Sequence, residues 1–337
     1  LNVGFIVAQA LLPAASALMP TLHNMTLIFL GTPSFAVPTL ERIVRAGHRV
    51  IAVFTQPDRP KGRGGELSAS PVKQTGLQLS LPVHQPERIR KPEPVEQLKQ
   101  MQPDAMVVVG YGQIIPQSII DIPRHGIINV HASLLPKYRG AAPIQWAIAN
   151  GESITGVTTM QIDAGLDTGD MLLKWETPIG PEENAVELGQ RMSQAGADLL
   201  VETLAGIEAG TIHAERQDNA QSSLAPILKK EDGEINWNWP ARKISNRARG
   251  FLPWPGAYSY FRGQLFHIWK ARVAEEPSQG APGRLTPLKK RLLVSSGEGS
   301  ALELLEVQIE GRKRMPAEAF LNGHHLEENE SLGAAPQ

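Results

Sequence analysis

The 337-residue chain contains no cysteine. That excludes disulfides, thiolate nucleophiles and cysteine-bound zinc together, and it suits a cytoplasmic protein. No apolar run reaches the roughly 20 residues that a membrane-spanning helix needs, so no membrane association is expected. The nine histidines include no H-E-x-x-H pair, and no metal is expected. "LIFLGTP" carries one glycine at the first strand-to-helix turn; the G-x-G-x-x-G fingerprint is missing, which argues against a nicotinamide cofactor. A large charge of either sign is also lacking, with a net value of −1. The balance hides an asymmetry: between Lys229 and Arg314 stand 16 Lys and Arg against 9 Asp and Glu, so the C-terminal part is basic and suited to a polyanionic partner.

The opening "LNVGFIVAQALLPAASALMPTLHN" has an apolar run followed by "ASA", yet it lacks the basic start of a secretory signal. Residues 1–24 are read as an upstream extension outside the fold, which begins at "MTLIFLGTP". From Met25 short β-branched runs alternate with helical stretches: "TLIFLG", a helix from about Ser34 to Ala46, "VIAVFT", "DAMVVVG" and "GIINVH". Continuous apolar strands between helices indicate an open α/β domain with a parallel sheet covered on both faces. A second sheet segment, "GVTTMQI" then "DMLLKWETPI", leads into a long amphipathic helix from about Glu183 to Ala209, ended by Gly210. Residues 25–209 thus form one body and the polar, turn-rich 210–229 a linker. The short strands and Gly/Pro turns of 230–323 predict a small β-barrel. Residues 324–337 read as a frayed tail.

Side chains alternate across a strand, so Asn129 and His131 of "INVHASLLPKYRG" project to one face and Val130 to the other. Ligands of open α/β sheets collect beyond the carboxyl ends of the strands, where this pair falls. A plain structural role for both, an Asn satisfying backbone groups and a His capping the next turn, is the competing reading. "DAGLDTGDM" shifts the balance, because a carboxylate on a Gly-rich loop can approach an imidazole closely and Asp167 would then orient His131. Asp163 and Asp170 suit turns, and the spacing fits no calcium loop. An amide, an imidazole and a carboxylate without an activated Ser, Cys or Lys suggest direct acyl transfer, with Asn129 and His131 stabilising the oxyanion. The segment "TQPDRPKGRGGELSASP" cannot be helix or strand interior. It is either a solvated excursion or a lid that contacts anions through Arg59, Lys61 and Arg63.

The stretches "FLGTPSFA", "VFTQPDRPKGRG", "SPVK", "HASLLPKYRGAAPIQWAI", "GLDTGDML" and "GFLPWPGAY" resemble the methionyl-tRNA formyltransferase family over essentially Met25 to Gly323. The resemblance implies a Rossmann-like formyltransferase domain followed by an OB-fold-like tRNA-binding barrel. It assigns catalysis to Asn129, His131 and Asp167, and implies 10-formyltetrahydrofolate as donor and initiator methionyl-tRNA as acceptor. The folate is expected along Gly110, Tyr111, Gly112 and Gln113, with Ser133, Leu134, Leu135 and Pro136 of the shared "SLLP" also assigned to it. The same resemblance turns the basic loop into a tRNA contact through Arg63, with Arg59 and Lys61 beside it. Gly65 and Glu66 stand where the family often has lysines. The protein is expected to act as a monomer. Three rivals remain: a formyltransferase acting on a nucleotide-linked amino sugar, one acting on glycinamide ribonucleotide, and a catalytically idle nucleic-acid-binding module.

Overall fold

The computed structural model describes residues 24–61 and 66–333; the upstream extension, apart from Asn24, and Arg63 of the basic loop lie outside the described residues. Seven strands form one sheet in the order Met171–Pro178, Ile154–Gln161, Ile127–His131, Ala105–Val109, Thr26–Gly31, Arg49–Phe54, Val83–His84. Every residue of Ala105–Val109 and Ile127–His131 is buried, as strands covered on both faces must be. Alternation sorts their side chains. Leu27, Phe29, Val107 and Val109 join Leu40, Ile43, Met192 and Leu200 from the helices Val37–Arg45 and Ala185–Glu208 on one face. Ile28, Leu30, Met106 and Val108 meet Leu98 and Ile119 from Pro92–Met101 and Gln117–Ile120 on the other.

The segment read as a second sheet is part of this one. Ile154–Gln161 pairs antiparallel with Ile127–His131, and Met171–Pro178 pairs antiparallel with Ile154–Gln161. The apolar pattern of a strand is the same in either direction, so the sequence could not distinguish a new sheet from an antiparallel edge. The long helix starts where Asn184 accepts hydrogen bonds from the backbone of Val186 and Glu187, while Glu187 reaches back to the Asn184 amide, a reciprocal capping box. It ends at Gly210, whose φ of +67° suits a glycine past a helix terminus.

Two further expectations change. Residues 210–229 are not a free tether: Glu215 bridges to Met171, Leu224–Ala225 pairs parallel with Arg139–Gly140, and Leu228 packs with Phe251 and Ala142. Buried Gln217 and half-buried Ser223 bond back onto the sheet domain, while most polar residues around them stay exposed. Nor is the tail frayed as far as Gly333. Leu332 is 2 % exposed inside the C-terminal core, Arg262 holds Glu330 through two bonds, and Gly333 exchanges backbone bonds with Tyr260. One apolar anchor and one buttressed ion pair outweigh the polar composition around them.

The C-terminal body is a six-stranded antiparallel sheet, in the order Ala257–Phe261, Gln264–Val273, Ala301–Ile309, Arg291–Ser295, Leu285–Leu288, with Met315–Pro316 paired to Ala301–Ile309. It has its own core around Phe261, Phe266, Leu292, Val307 and Phe320. Its helix Ala241–Gly250 leans on the sheet domain. The Arg249 guanidinium donates to the carbonyls of Gly180 and Glu183 at 3.1 and 2.8 Å, and Trp146 meets Phe251 edge-on with 5.2 Å between ring centroids. No helix among the described residues is long and apolar enough to cross a membrane.

Candidate active site

The strand Ile127–His131 delivers Asn129 and His131 to a crevice of about 660 Å³, a size ordinary for a small-molecule site. Asp167 lines the same crevice, although it lies 38 residues beyond Asn129 along the chain. The three side chains converge. Asn129 Nδ2 is 3.4 Å from Asp167 Oδ1, and His131 Nδ1 is 3.7 Å from Asp167 Oδ2. The second distance is that of an ion pair and too long for a hydrogen bond, so the direct bond expected from the sequence is loose here. The tight contact of the carboxylate is one that sequence reasoning missed: the Gly140 amide donates to Asp167 Oδ2 at 2.8 Å.

His131 is 5 % exposed. Its Nε2 lies 2.9 Å from the Tyr138 carbonyl oxygen, which orients the ring, and Nδ1 remains the nitrogen available to a reacting group. Asp167 adopts φ +51°, a left-handed conformation costing an L-residue about 1–2 kcal/mol, with Asp among the more tolerant types. Gly140, at φ +122°, could not carry a side chain: a Cβ there would stand 2.6 Å from the Ala225 carbonyl oxygen. Close strand pairing with Leu224–Ala225 therefore requires glycine in "KYRGAAP". Asp163 binds Thr168 and the Gly165 amide, which is the turn role expected of it.

Gly110, Tyr111, Gly112 and Gln113 all line the crevice. The Tyr111 carbonyl is held by Thr32 Oγ1 at 3.0 Å and Gln56 Nε2 at 3.1 Å. The Gln113 side chain is spent on the Ile89 amide and the Pro86 carbonyl, which leaves backbone groups to face a ligand. Burial pushes the Tyr111 phenol up from its ordinary pKa, so the ring stays neutral. Apolar walls from Ile114, Ile144, Met160 and Leu166 complete the crevice. Ile114 is 87 % exposed and Leu166 63 %, an uncommon placement for two large apolar side chains at a single rim.

Ser133, Leu134, Leu135 and Pro136 are absent from the crevice lining. Ser133 Oγ donates to the Lys137 carbonyl at 2.6 Å, the Leu135 amide donates to Thr158 Oγ1 at 3.1 Å, and Leu135 packs against Met160 and Met171. This turn is tied down by internal hydrogen bonds, with the Ser133 and Leu134 carbonyls also accepting from Thr158 Oγ1 and the Lys137 amide. In the basic segment, Arg59–Lys61 pairs antiparallel with Glu66–Ser68, so the part expected to hold no strand contains two short ones. Arg59 is exposed. Among the described residues no group of three or more His, Asp or Glu is placed to hold a metal.

The described residues lining the crevice include no Ser, Thr, Cys or Lys. An amide, an imidazole and a carboxylate at the end of a sheet strand, with no nucleophile beside them, are the equipment of a transferase that passes an acyl group directly between two substrates. Comparison with known proteins narrows the class. Residues 24–204 match the family described as formyl transferase, and 227–325 match formyl transferase, C-terminal domain. A methionyl-tRNA formyltransferase of Solibacter usitatus (strain Ellin6076) is 67 % identical over 309 residues, covering 92 % of this chain and 99 % of that one. One from Koribacter versatilis (strain Ellin345) is 59 % identical over 310 residues, covering 92 % and 99 %. The chain belongs to the methionyl-tRNA formyltransferase family.

The fold recurs in solved structures. An N-formyltransferase from Helicobacter canadensis, solved with folinic acid and dTDP-3-aminofucose, superposes with a TM-score of 0.64 at 21 % identity, covering 84 % of this chain and 99 % of that one. HypX from Aquifex aeolicus in complex with tetrahydrofolic acid gives 0.60 at 19 % identity, covering 89 % and 47 %.

Proposed function

We propose that Asn129, His131 and Asp167 form the centre at which this protein transfers the formyl group of 10-formyltetrahydrofolate to the free amine of methionyl initiator tRNA, yielding the N-formylmethionyl-tRNA of translation initiation. One observation carries the assignment: the three side chains meet at a crevice whose described lining holds no Ser, Thr, Cys or Lys, and the Asp167 carboxylate is fixed there by the Gly140 amide. The acceptor amine bonds to the formyl carbon, the bond from that carbon to the folate nitrogen breaks, and one proton passes in net terms from amine to folate nitrogen. Asn129 Nδ2 donates to the charge that develops on the formyl oxygen, an interaction worth about 10²–10³ in rate. His131, as the imidazolium with Nε2 donating to the Tyr138 carbonyl, donates through Nδ1 to the same oxygen. Asp167 holds both donors and draws the proton from the attacking amine, directly or through one water.

The donor fits the crevice by its chemistry. Apolar walls suit a bicyclic ring, and the backbone between Gly110 and Gln113 offers amides and carbonyls to its polar edge. Ile114, exposed at the rim, gains burial when that ring enters. Ile114→Ala is therefore expected to raise the donor KM roughly 10-fold, since burying such a side chain is worth about 1.5–3 kcal/mol, and to leave the KM for charged tRNA unchanged. Steady-state kinetics with each substrate varied in turn checks this; an unaltered donor KM would place the folate elsewhere.

The basic C-terminal body supplies the tRNA surface, in a fold we assign to the OB type. Arg262, Arg272, Arg291 and Lys290 are paired with carboxylates, whereas exposed Arg242, Lys243, Lys270, Arg312 and Lys313 have no ion-pair partner among the described residues. Arg242 and Lys270 line a cleft between the two bodies together with Arg249 and Arg272, which suits a phosphate backbone. Arg59, Lys61 and Arg63 contact the acceptor end. The protein acts as a cytoplasmic monomer. Identity of 67 % to a methionyl-tRNA formyltransferase against 21 % to an amino-sugar enzyme favours the tRNA acceptor over the sugar.

A further inference from the structure

Asp167 is held at both ends. Its carboxylate accepts from the Gly140 amide at 2.8 Å, and its backbone carbonyl accepts from Gln217 Nε2 at 2.8 Å. The same Nε2 donates to the Gly169 carbonyl at 2.7 Å. Gln217 Oε1 in turn accepts from Arg139 Nε at 2.9 Å and from Nη2 at 2.7 Å. Arg139 is the residue before Gly140, so the contacts close a ring: Asp167 side chain, Gly140, Arg139 side chain, Gln217, Asp167 backbone. Gln217 and Arg139 are each 6 % exposed.

All four hydrogen-bonding positions of the Gln217 amide are used, two as donor and two as acceptor. That leaves its orientation no freedom. Turned by half a rotation, the amide would set its oxygen against two carbonyls and its hydrogens against a guanidinium. Arg139 has a second anchor, with Nη2 donating to Asn219 Oδ1 at 2.9 Å, and its backbone amide donates to the Ser223 carbonyl at 2.9 Å. Gln217, Asn219 and Ser223 all come from the segment that connects the two bodies. It closes over the loop that carries the reactive carboxylate.

We propose that Gln217 is a positioning residue for transfer, fixing the left-handed turn at Asp167 so that the carboxylate meets Asn129 and His131, with Arg139 setting the Gln217 amide. The inference rests on the assignment of Asp167 to the transfer centre. Gln217 touches neither substrate; it acts only through Asp167.

Gln217→Glu tests this with almost no change in volume. The new carboxylate still pairs with Arg139 but has no hydrogen for the Asp167 and Gly169 carbonyls, and it repels both. In the full-length protein kcat is expected to fall roughly 10- to 100-fold, the cost of displacing a reacting group by about 1 Å, while KM for folate donor and charged tRNA stays within about threefold. A merely structural role would not pass the next step, a double-mutant cycle with Asp167→Ala. If Gln217 acts through Asp167, Gln217→Glu adds no more than about a twofold loss in the Asp167→Ala background. Losses that multiply, or a kcat for Gln217→Glu equal to the parent's, would overturn the proposal while leaving the catalytic trio in place. Near-normal turnover of Asp167→Ala itself would overturn the trio and this inference together. Should Gln217→Glu not fold, Asn219→Ala removes one Arg139 anchor at an exposed position and enters the same cycle. Its expected loss is roughly fivefold, again absent without Asp167.

Discussion

Asp167→Ala is expected to lower turnover about 10²–10³-fold at saturating substrates, with little change in either KM. The carboxylate faces Asn129 Nδ2 at 3.4 Å and His131 Nδ1 at 3.7 Å, so its loss frees both donors at once. The backbone turn survives because Gln217 grips the Asp167 and Gly169 carbonyls, which the substitution leaves in place. Asn129→Ala and His131→Ala are expected to fall in the same range. Combined, the three should cost far less than the product of the single losses, because groups that act as one unit cannot be removed twice. Single-turnover transfer measured beside donor binding separates chemistry from affinity. Near-normal turnover without the Asp167 carboxylate would leave the convergence of these side chains without a catalytic meaning.

Arg63→Ala is expected to cost up to about a hundredfold in kcat/KM for charged tRNA, the upper end of what a single bidentate arginine contact supplies. In sequence the residue falls between the paired strands Arg59–Lys61 and Glu66–Ser68, and Ser70 follows shortly after. Ser70 Oγ shares a hydrogen bond with Thr55 and caps the helix Pro71–Gln78 by accepting from the Lys73 amide. Lys73 pairs with Asp58 across the base of the segment. None of these contacts at the flanks of the segment involves Asn129, His131 or Asp167. Slow hydrolysis of the formyl donor in the absence of tRNA should therefore be unaffected by Arg63→Ala. Equal losses in hydrolysis and transfer would place Arg63 in the chemistry; no loss in either would make the segment an ordinary solvated excursion.

Much of this is legible in the sequence. Continuous apolar runs located the strands Thr26–Gly31, Arg49–Phe54, Ala105–Val109 and Ile127–His131 but not the two-residue Val83–His84, and the i, i+2 spacing of Asn129 and His131 put both at the crevice. Asp167 was legible because a carboxylate among glycines announces a loop that can approach closely. The family pattern added the folate and the tRNA. What escaped depends on partners distant in sequence. Nothing in "TIHAERQDNAQSS" marks Gln217 as a buried residue bonded to a loop 48–50 residues earlier, since a polar, turn-rich stretch reads the same whether it faces water or a buried arginine. Leu332 misled in the same way, as one apolar residue in a polar tail that the C-terminal core nevertheless claims. In Ser133 to Pro136 the sequence motif does not disclose that the Ser133 hydroxyl and the Leu135 amide bond within the protein, to the Lys137 carbonyl and Thr158 Oγ1.

The most direct measurement offers the purified protein 10-formyltetrahydrofolate with four acceptors in parallel: methionyl initiator tRNA, methionyl elongator tRNA, glycinamide ribonucleotide and a nucleotide-linked amino sugar. Transfer is expected to charged initiator tRNA, with the other three far slower, and to vanish for all four when Asp167 is replaced by Ala. Preferred transfer to the amino sugar or to the ribonucleotide, or no transfer from the folate donor to any acceptor, would contradict the function assigned here.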